Sequence, residues 1–127
     1  MRFLVALLFI TNISCMSSPT GPSGARNAFT LRFGETAIVD GARISFTDVS
    51  DSRCPTEVVC AWAGDAAVRL ESGSESVVLH TNATAGPASG PLAGITATLV
   101  DVRPERIAVD PPAKSAYVIS LRLAAER

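Results

Sequence analysis

Residues 36–47 read TAIVDGARISFT, which is a short β-branched run, the dipeptide Asp40-Gly41 and then an apolar–polar alternation. Because Gly tolerates the positive φ of a type I′ turn, Asp-Gly between two such runs is a strong hairpin signal. In the second run every other residue is apolar, which places the apolar side chains on one face of a strand. This stretch predicts a β-hairpin.

Alternation with a period of two recurs on both sides of this hairpin, and no stretch keeps a helical period. Further strands are predicted over residues 29–33, 62–71, 76–81, 95–99 and 117–123. About seven short strands separated by turns favour a two-sheet, immunoglobulin-like β-sandwich. A small β-barrel would show the same alternation and is the alternative.

Two segments between these strands are rich in Gly or Pro. Residues 82–94 read NATAGPASGPLAG, and we expect them to form a long irregular loop. Residues 103–115 contain three prolines, so they are predicted to be a connection, with a short edge strand at Ile107 to Val109.

The first fourteen residues have the pattern of a bacterial signal peptide. Arg2 precedes an apolar run over residues 3–10, which is far shorter than the roughly 20 apolar residues of a membrane-spanning helix. Residues 12–15, Asn-Ile-Ser-Cys, resemble a lipobox, although that pattern prefers Leu where Asn12 stands. The resemblance implies that Cys15 becomes the lipidated first residue. The alternative is cleavage after Ser17, which would discard Cys15 and leave a soluble periplasmic or secreted protein.

These interpretations divide the chain into a signal peptide (1–14), a lipid-anchor Cys with a flexible Pro/Gly/Ser-rich tether (15–27) and one domain (28–127). Export to an oxidising compartment leaves Cys54 and Cys60 as an even pair, which predicts a disulfide. Two Cys and the chain's one His are too few for a zinc site, and no cofactor is expected. With 11 basic and 12 acidic residues and no basic block, nucleic acid is not an expected partner.

Residues 51–66 read DSRCPTEVVCAWAGDA and are the most distinctive part of the chain. They resemble a recurrent pattern in small secreted bacterial proteins and lipoproteins of unassigned activity, in which SRCP, a second Cys and W-x-G-x-A precede an alternating strand. The resemblance implies fold, compartment and pairing of the two Cys, and it implies no activity.

Within this segment three residues are candidates for binding: Arg53, Glu57 and Trp62. Trp62 is in phase with the apolar face of the predicted strand, so we expect it to pack over the disulfide in the core. Arg53 and Asp51 flank the disulfide loop, where they pair with each other or with Glu57. The alternative is that the rigid loop presents Arg53 and Glu57 to a partner. Gly64 is expected at a bulge or a close approach of backbones.

We expect no enzymatic activity. Ser74, His80 and Asp101 could be written as a catalytic triad, but no G-x-S-x-G motif supports it. The expected function is a non-enzymatic binding module, tethered through its N-terminal lipid, whose partner is an envelope protein or a small molecule. The alternatives are a protease inhibitor that acts through residues 82–94 and an assembly role through an exposed strand edge.

Overall fold

A computed structural model describes residues 28–125 of the chain. The predicted signal peptide, the lipid-anchor Cys15 and the tether lie outside the described residues. No helix in the described part of the chain is long and apolar enough to cross a membrane.

The domain is a β-sandwich of two four-stranded antiparallel sheets, as the alternation predicts. One sheet has the order β1-β8-β7-β6 and the other β2-β3-β4-β5. Each sheet has two free edges, so the barrel alternative is wrong. The eight strands are β1 (Ala28–Arg32), β2 (Thr36–Val39), β3 (Ala42–Asp51), β4 (Ala66–Ser72), β5 (Glu75–His80), β6 (Ser89–Leu92), β7 (Ile95–Arg103) and β8 (Val118–Ala125).

The strands run as two meanders, β2 to β5 and β6 to β8, whereas immunoglobulin domains interleave their strands between the sheets. Gly34, at φ 81°, turns the chain from β1 in one sheet to β2 in the other. The core between the sheets is almost wholly aliphatic, and Phe46 meets the half-buried Phe33 edge to face, with ring centroids 5.4 Å apart.

Two β-bulges change the phase of the alternation within long strands. Thr47 is the extra residue in β3, so Asp48 turns outward and Val49 enters the core. Val100 does the same in β7, where Val102 is buried and Asp101 is not. The bulges therefore keep both carboxylates out of the apolar interior while each strand continues.

Tight hairpin turns close one end of the sandwich, which we call the turn pole. These turns are 40–41, 73–74 and 93–94. The Asp40-Gly41 hairpin is confirmed, and both residues have the positive φ of a type I′ turn, 49° and 80°. Because β1 pairs antiparallel with β8 from Ala28 onward, the chain also enters the domain at this pole.

Long connections lie at the opposite end, which we call the disulfide pole. They are residues 52–65, 81–88 and 104–117, the last of which includes a single 3-10 turn at Lys114–Ala116. β3, with ten residues, joins the two poles, so they are roughly 30 Å apart.

Three sequence-based predictions about strands are corrected here. The strand predicted over 62–71 begins only at Ala66. The predicted irregular loop 82–94 contains β6, so its irregular part ends at Ala88. The predicted edge strand at Ile107 to Val109 is not a strand.

Candidate binding face at the disulfide pole

The predicted Cys54–Cys60 disulfide is confirmed, with Cα atoms 5.9 Å apart. The loop it closes is also held by backbone hydrogen bonds to a neighbouring segment. Thr56 N–H donates to the carbonyl of Arg106 at 3.0 Å, and Glu57 N–H donates to that of Ile107 at 3.2 Å. The loop is therefore braced on two sides, and a disulfide of this kind is typical of an oxidising, exported environment.

A buried carboxylate, Asp51, lies beneath this loop at the end of β3. Its Oδ1 accepts from Arg53 Nε at 2.9 Å and from the Arg53 backbone N–H. Its Oδ2 accepts from Arg53 Nη2 at 2.8 Å and from Tyr117 Oη at 2.7 Å. The guanidinium of Arg53 also donates to the carbonyls of Val102 and Pro104. This cluster ties the disulfide loop to β7 and β8.

The pKa values of the cluster reflect burial and its hydrogen bonds. Burial raises the pKa of Asp51, but the donors on Arg53 and Tyr117 outweigh it and hold that pKa below the ordinary value. Burial and the bond to Asp51 raise the pKa of Tyr117 to about 12. The bond to Asp51 raises the pKa of Arg53 further. The geometry thus favours an ionised carboxylate beside a neutral phenol.

A second polar cluster fixes the start of β4. Asp65 Oδ2 lies 2.7 Å from His80 Nδ1, and its Oδ1 accepts from the backbone N–H groups of Thr81 and Asn82, each at 3.0 Å. Burial raises the pKa of Asp65, and the hydrogen bonds from His80 and Asn82 outweigh this, so the pKa is lowered. The cluster holds Thr81 and Asn82 beside the start of β4, and Gly86 packs directly on the His80 ring at the end of β5.

Gly64 permits a close approach of the two chain segments at this pole. Its φ is 67°, and a Cβ there would lie 1.9 Å from the carbonyl oxygen of Ser52. Ser52 N–H donates to the carbonyl of Asp65 at 2.7 Å across the same junction. The predicted close approach is therefore found, and it bends the chain away from the direction of β4.

The expectation that Trp62 packs in the core is wrong: its exposed fraction is 84%. Because Gly64 has a left-handed backbone conformation, the chain before it does not continue the line of β4, and Trp62 does not share the inward face of that strand. It is one of five large, exposed apolar side chains at this pole, which we call the apolar patch: Val58, Val59, Trp62, Ile107 and Val109. Val59 is as exposed as in an extended chain, at 101%.

A pocket of about 430 Å³ opens within this patch. Trp62, Val58 and Val109 form part of its wall together with the cystine. Arg106 also lines it, donating from Nη1 to the carbonyl of Asp51 at 2.6 Å and from Nη2 to that of Val109. Its Nε is buried without a partner in the described part of the chain.

The three predicted binding residues have different surroundings. The side chain of Arg53 is 20% exposed and lines the pocket, while its Nε and both Nη atoms donate within the protein. Glu57 is exposed at the edge of the disulfide loop, and Trp62 stands in the pocket wall. The four aliphatic members of the patch were not identified as binding residues from the sequence, because aliphatic residues in an irregular loop follow no period that shows which of them are exposed.

The hypothetical Ser-His-Asp set is not assembled. His80 pairs with Asp65, and Ser74 lies at the turn pole, about 20 Å away along β5. Among residues 28–125, no group of three or more His, Cys, Asp or Glu side chains is arranged to hold a metal ion.

No family model, curated protein or solved structure matches this chain.

Proposed function

We propose that this protein is a non-enzymatic binding module of the bacterial cell envelope, anchored through a lipid on Cys15, and that the apolar patch is its binding face. The observation that carries the proposal is the exposure of Trp62 in the wall of a pocket that Val58, Val109 and the cystine also line. Large apolar side chains that are clustered and exposed on a rigid frame are typical of interaction sites.

The position of the patch supports a tethered arrangement. The tether precedes Ala28, which lies at the turn pole, whereas the patch lies at the disulfide pole. An anchor attached at one end of the sandwich would leave the other end, roughly 30 Å away, facing the surroundings of the membrane. A binding face is best placed there.

The rigidity of the frame supports binding over a purely structural role for the loop. The disulfide, the bonds from residues 56 and 57 to residues 106 and 107, and the Asp51 cluster all order the patch before any partner arrives. Order in the free protein lowers the entropic cost of association.

Site-specific photocrosslinking of the full-length protein in living cells tests the proposal. A photoreactive amino acid replaces Val59, and in a matched control it replaces Ile38, an aliphatic residue on β2 that is 69% exposed. We expect a discrete cross-linked product from position 59 that is lost on Trp62→Ala and is absent from position 38. The same products from both positions, or none from position 59, would contradict the proposal.

A further inference from the structure

The charges around the apolar patch differ in how far they are compensated within the protein. Glu57 and Asp110 are exposed, and neither carboxylate has a hydrogen-bond or ion-pair partner among residues 28–125. Both adjoin members of the patch in sequence, Val58 and Val109. The margin of the patch therefore carries free negative charge.

The nearby cations are instead bonded within the protein. Arg53 is paired with Asp51. Arg103 donates to Asp101 at 2.7 Å and to Glu105 at 2.9 Å. Arg106 directs both terminal nitrogens at backbone carbonyls. Arg53 and Arg103 are therefore paired with carboxylates, whereas Arg106 is bonded only to neutral carbonyls and keeps its positive charge at the pocket wall, with its Nε buried.

We infer that the disulfide pole binds a polypeptide segment that combines an apolar anchor side chain with adjacent Lys or Arg residues. The inference rests on the proposed function, because it takes the apolar patch as the binding face. Charge complementarity selects the cationic flanks, since opposite charges across an interface favour the correct partner and repel acidic ones.

The composition of the patch favours a polypeptide over a sugar. A sugar stacked on Trp62 would turn hydroxyl groups toward the side chains of Val58 and Val109, which offer no hydrogen bonds. The polar lining residues Arg53 and Arg106 already donate to groups within the protein. An aliphatic or aromatic side chain entering the pocket meets apolar groups on these sides. The volume of about 430 Å³ is near the lower end for ligand pockets, which suits an anchor side chain.

The same charges disfavour a lipid surface as the occupant. Residues 28–125 carry eight basic and eleven acidic side chains, a net charge of −3. Anionic membranes attract proteins through exposed clusters of Lys and Arg, and this margin carries free carboxylates instead. Insertion of Trp62 into such a surface would bring Glu57 and Asp110 against like charge.

Trp62 provides the means of measurement, because it is the chain's one tryptophan. The mature protein, purified from an expressing bacterium, is titrated with three synthetic peptides free of tryptophan. Each has a central Leu-Leu pair flanked on both sides by two Lys, two Gln or two Glu residues. We expect a saturable blue shift of the Trp62 emission with the Lys peptide and an affinity about tenfold higher than for the Gln peptide. The Glu peptide should not bind.

Charge variants and salt test the origin of this preference. Glu57→Gln with Asp110→Asn should reduce binding of the Lys peptide to the level of the Gln peptide. Asp40→Asn with Glu71→Gln removes the same charge away from the disulfide pole and should change little. Raising the salt concentration to about 0.5 M should weaken binding of the Lys peptide to the unsubstituted protein more than it weakens binding of the Gln peptide.

Equal affinity for the three peptides, or no binding by any of them, would overturn the inference. A blue shift with a chitin tetrasaccharide in place of the peptides would assign the pocket to a sugar. In either case a specific cross-link at position 59 would still support the disulfide pole as the binding face, so the failure of this inference is distinguishable from failure of the proposed function.

Discussion

Tyr117 Oη donates to Asp51 Oδ2 at 2.7 Å, and this bond joins the residue that precedes β8 in one sheet to the end of β3 in the other. Tyr117 is 1% exposed, so the bond is made where water does not compete for either group. Arg53 completes the coordination of the same carboxylate. The candidate binding face is therefore built on a link between the two sheets.

Tyr117→Phe should lower the free energy of unfolding by about 1.5–3 kcal/mol, because it removes a buried hydrogen bond to a charged acceptor. Urea unfolding followed by circular dichroism measures the change. Ser89→Ala is the control, since it removes an exposed bond to Thr98 of equal length, 2.7 Å, and should cost less than about 0.5 kcal/mol. Similar losses in the two variants would show that the Tyr117–Asp51 bond adds nothing.

The raised pKa of Tyr117 predicts a loss of stability at alkaline pH. The pKa of Tyr117 is raised from 10.0 to about 12 in the folded protein. Its contribution to the free energy of unfolding is therefore complete below pH 10 and is lost as pH rises through 12. A shift of this size corresponds to about 2 to 3 kcal/mol. Because the chain has one tyrosine, the absorbance of its phenolate reports on Tyr117 directly. Titration near pH 10 in the folded protein would contradict the prediction.

The lowered pKa values of Asp51 and Asp65 predict the opposite behaviour in acid. Each carboxyl group ionises more readily in the folded protein than in the unfolded chain. Its contribution to the free energy of unfolding is therefore complete above the unfolded pKa of about 3.9 and is lost as pH falls through the lower pKa of the folded state. Urea midpoints measured from pH 7 to pH 2 should begin to decrease at about pH 5. Asp65→Asn should flatten this dependence, whereas Asp40→Asn, at the exposed hairpin turn, should leave it unchanged.

The sequence predicts the sandwich well where alternation and turn chemistry agree, as at the Asp40-Gly41 hairpin. It does not predict the bulges at Thr47 and Val100, because one extra residue only shifts the phase of an alternation that then continues. β6 is missed for a different reason: Gly90 and Pro91 have low strand propensity. Gly90 lies so close to Val77 that a Cβ at residue 90 would be 2.6 Å from the Val77 side chain, so packing favours glycine there despite its low strand propensity.

The error at Trp62 has one local cause. Trp62, Gly64 and Ala66 share one phase, so periodicity alone extends β4 back to residue 62. The positive φ of Gly64 interrupts that extension, and a Gly within a strand pattern was the available warning. The sequence therefore predicts the wrong orientation for the Trp62 side chain, which points to solvent and not into the core.

Gly64→Ala should be among the most destabilising single substitutions in the domain, at about 3 kcal/mol or more. The new Cβ would overlap the carbonyl of Ser52, which cannot withdraw without breaking the bonds between Ser52 and Asp65. Gly73→Ala is the matched control, because Gly73 also has a positive φ, 58°, but open space around it. It should cost only about 1–2 kcal/mol. Equal urea midpoints for the two variants would remove the case for a close approach at Gly64.

Removing the disulfide separates the stability of the domain from the order of its candidate binding face. The ring closed by Cys54 and Cys60 is short, so Cys54→Ser with Cys60→Ser should lower the free energy of unfolding by only about 2 kcal/mol. Neither Cys belongs to the sandwich core, and the backbone bonds to residues 106 and 107 do not involve the sulfur atoms. We expect the variant to stay folded while amide exchange at residues 54–60 increases more than exchange in β3 or β8. Exchange that rises equally in the strands would mean that the bridge supports the whole domain, and unchanged exchange in the loop would mean that the backbone bonds alone order the apolar patch.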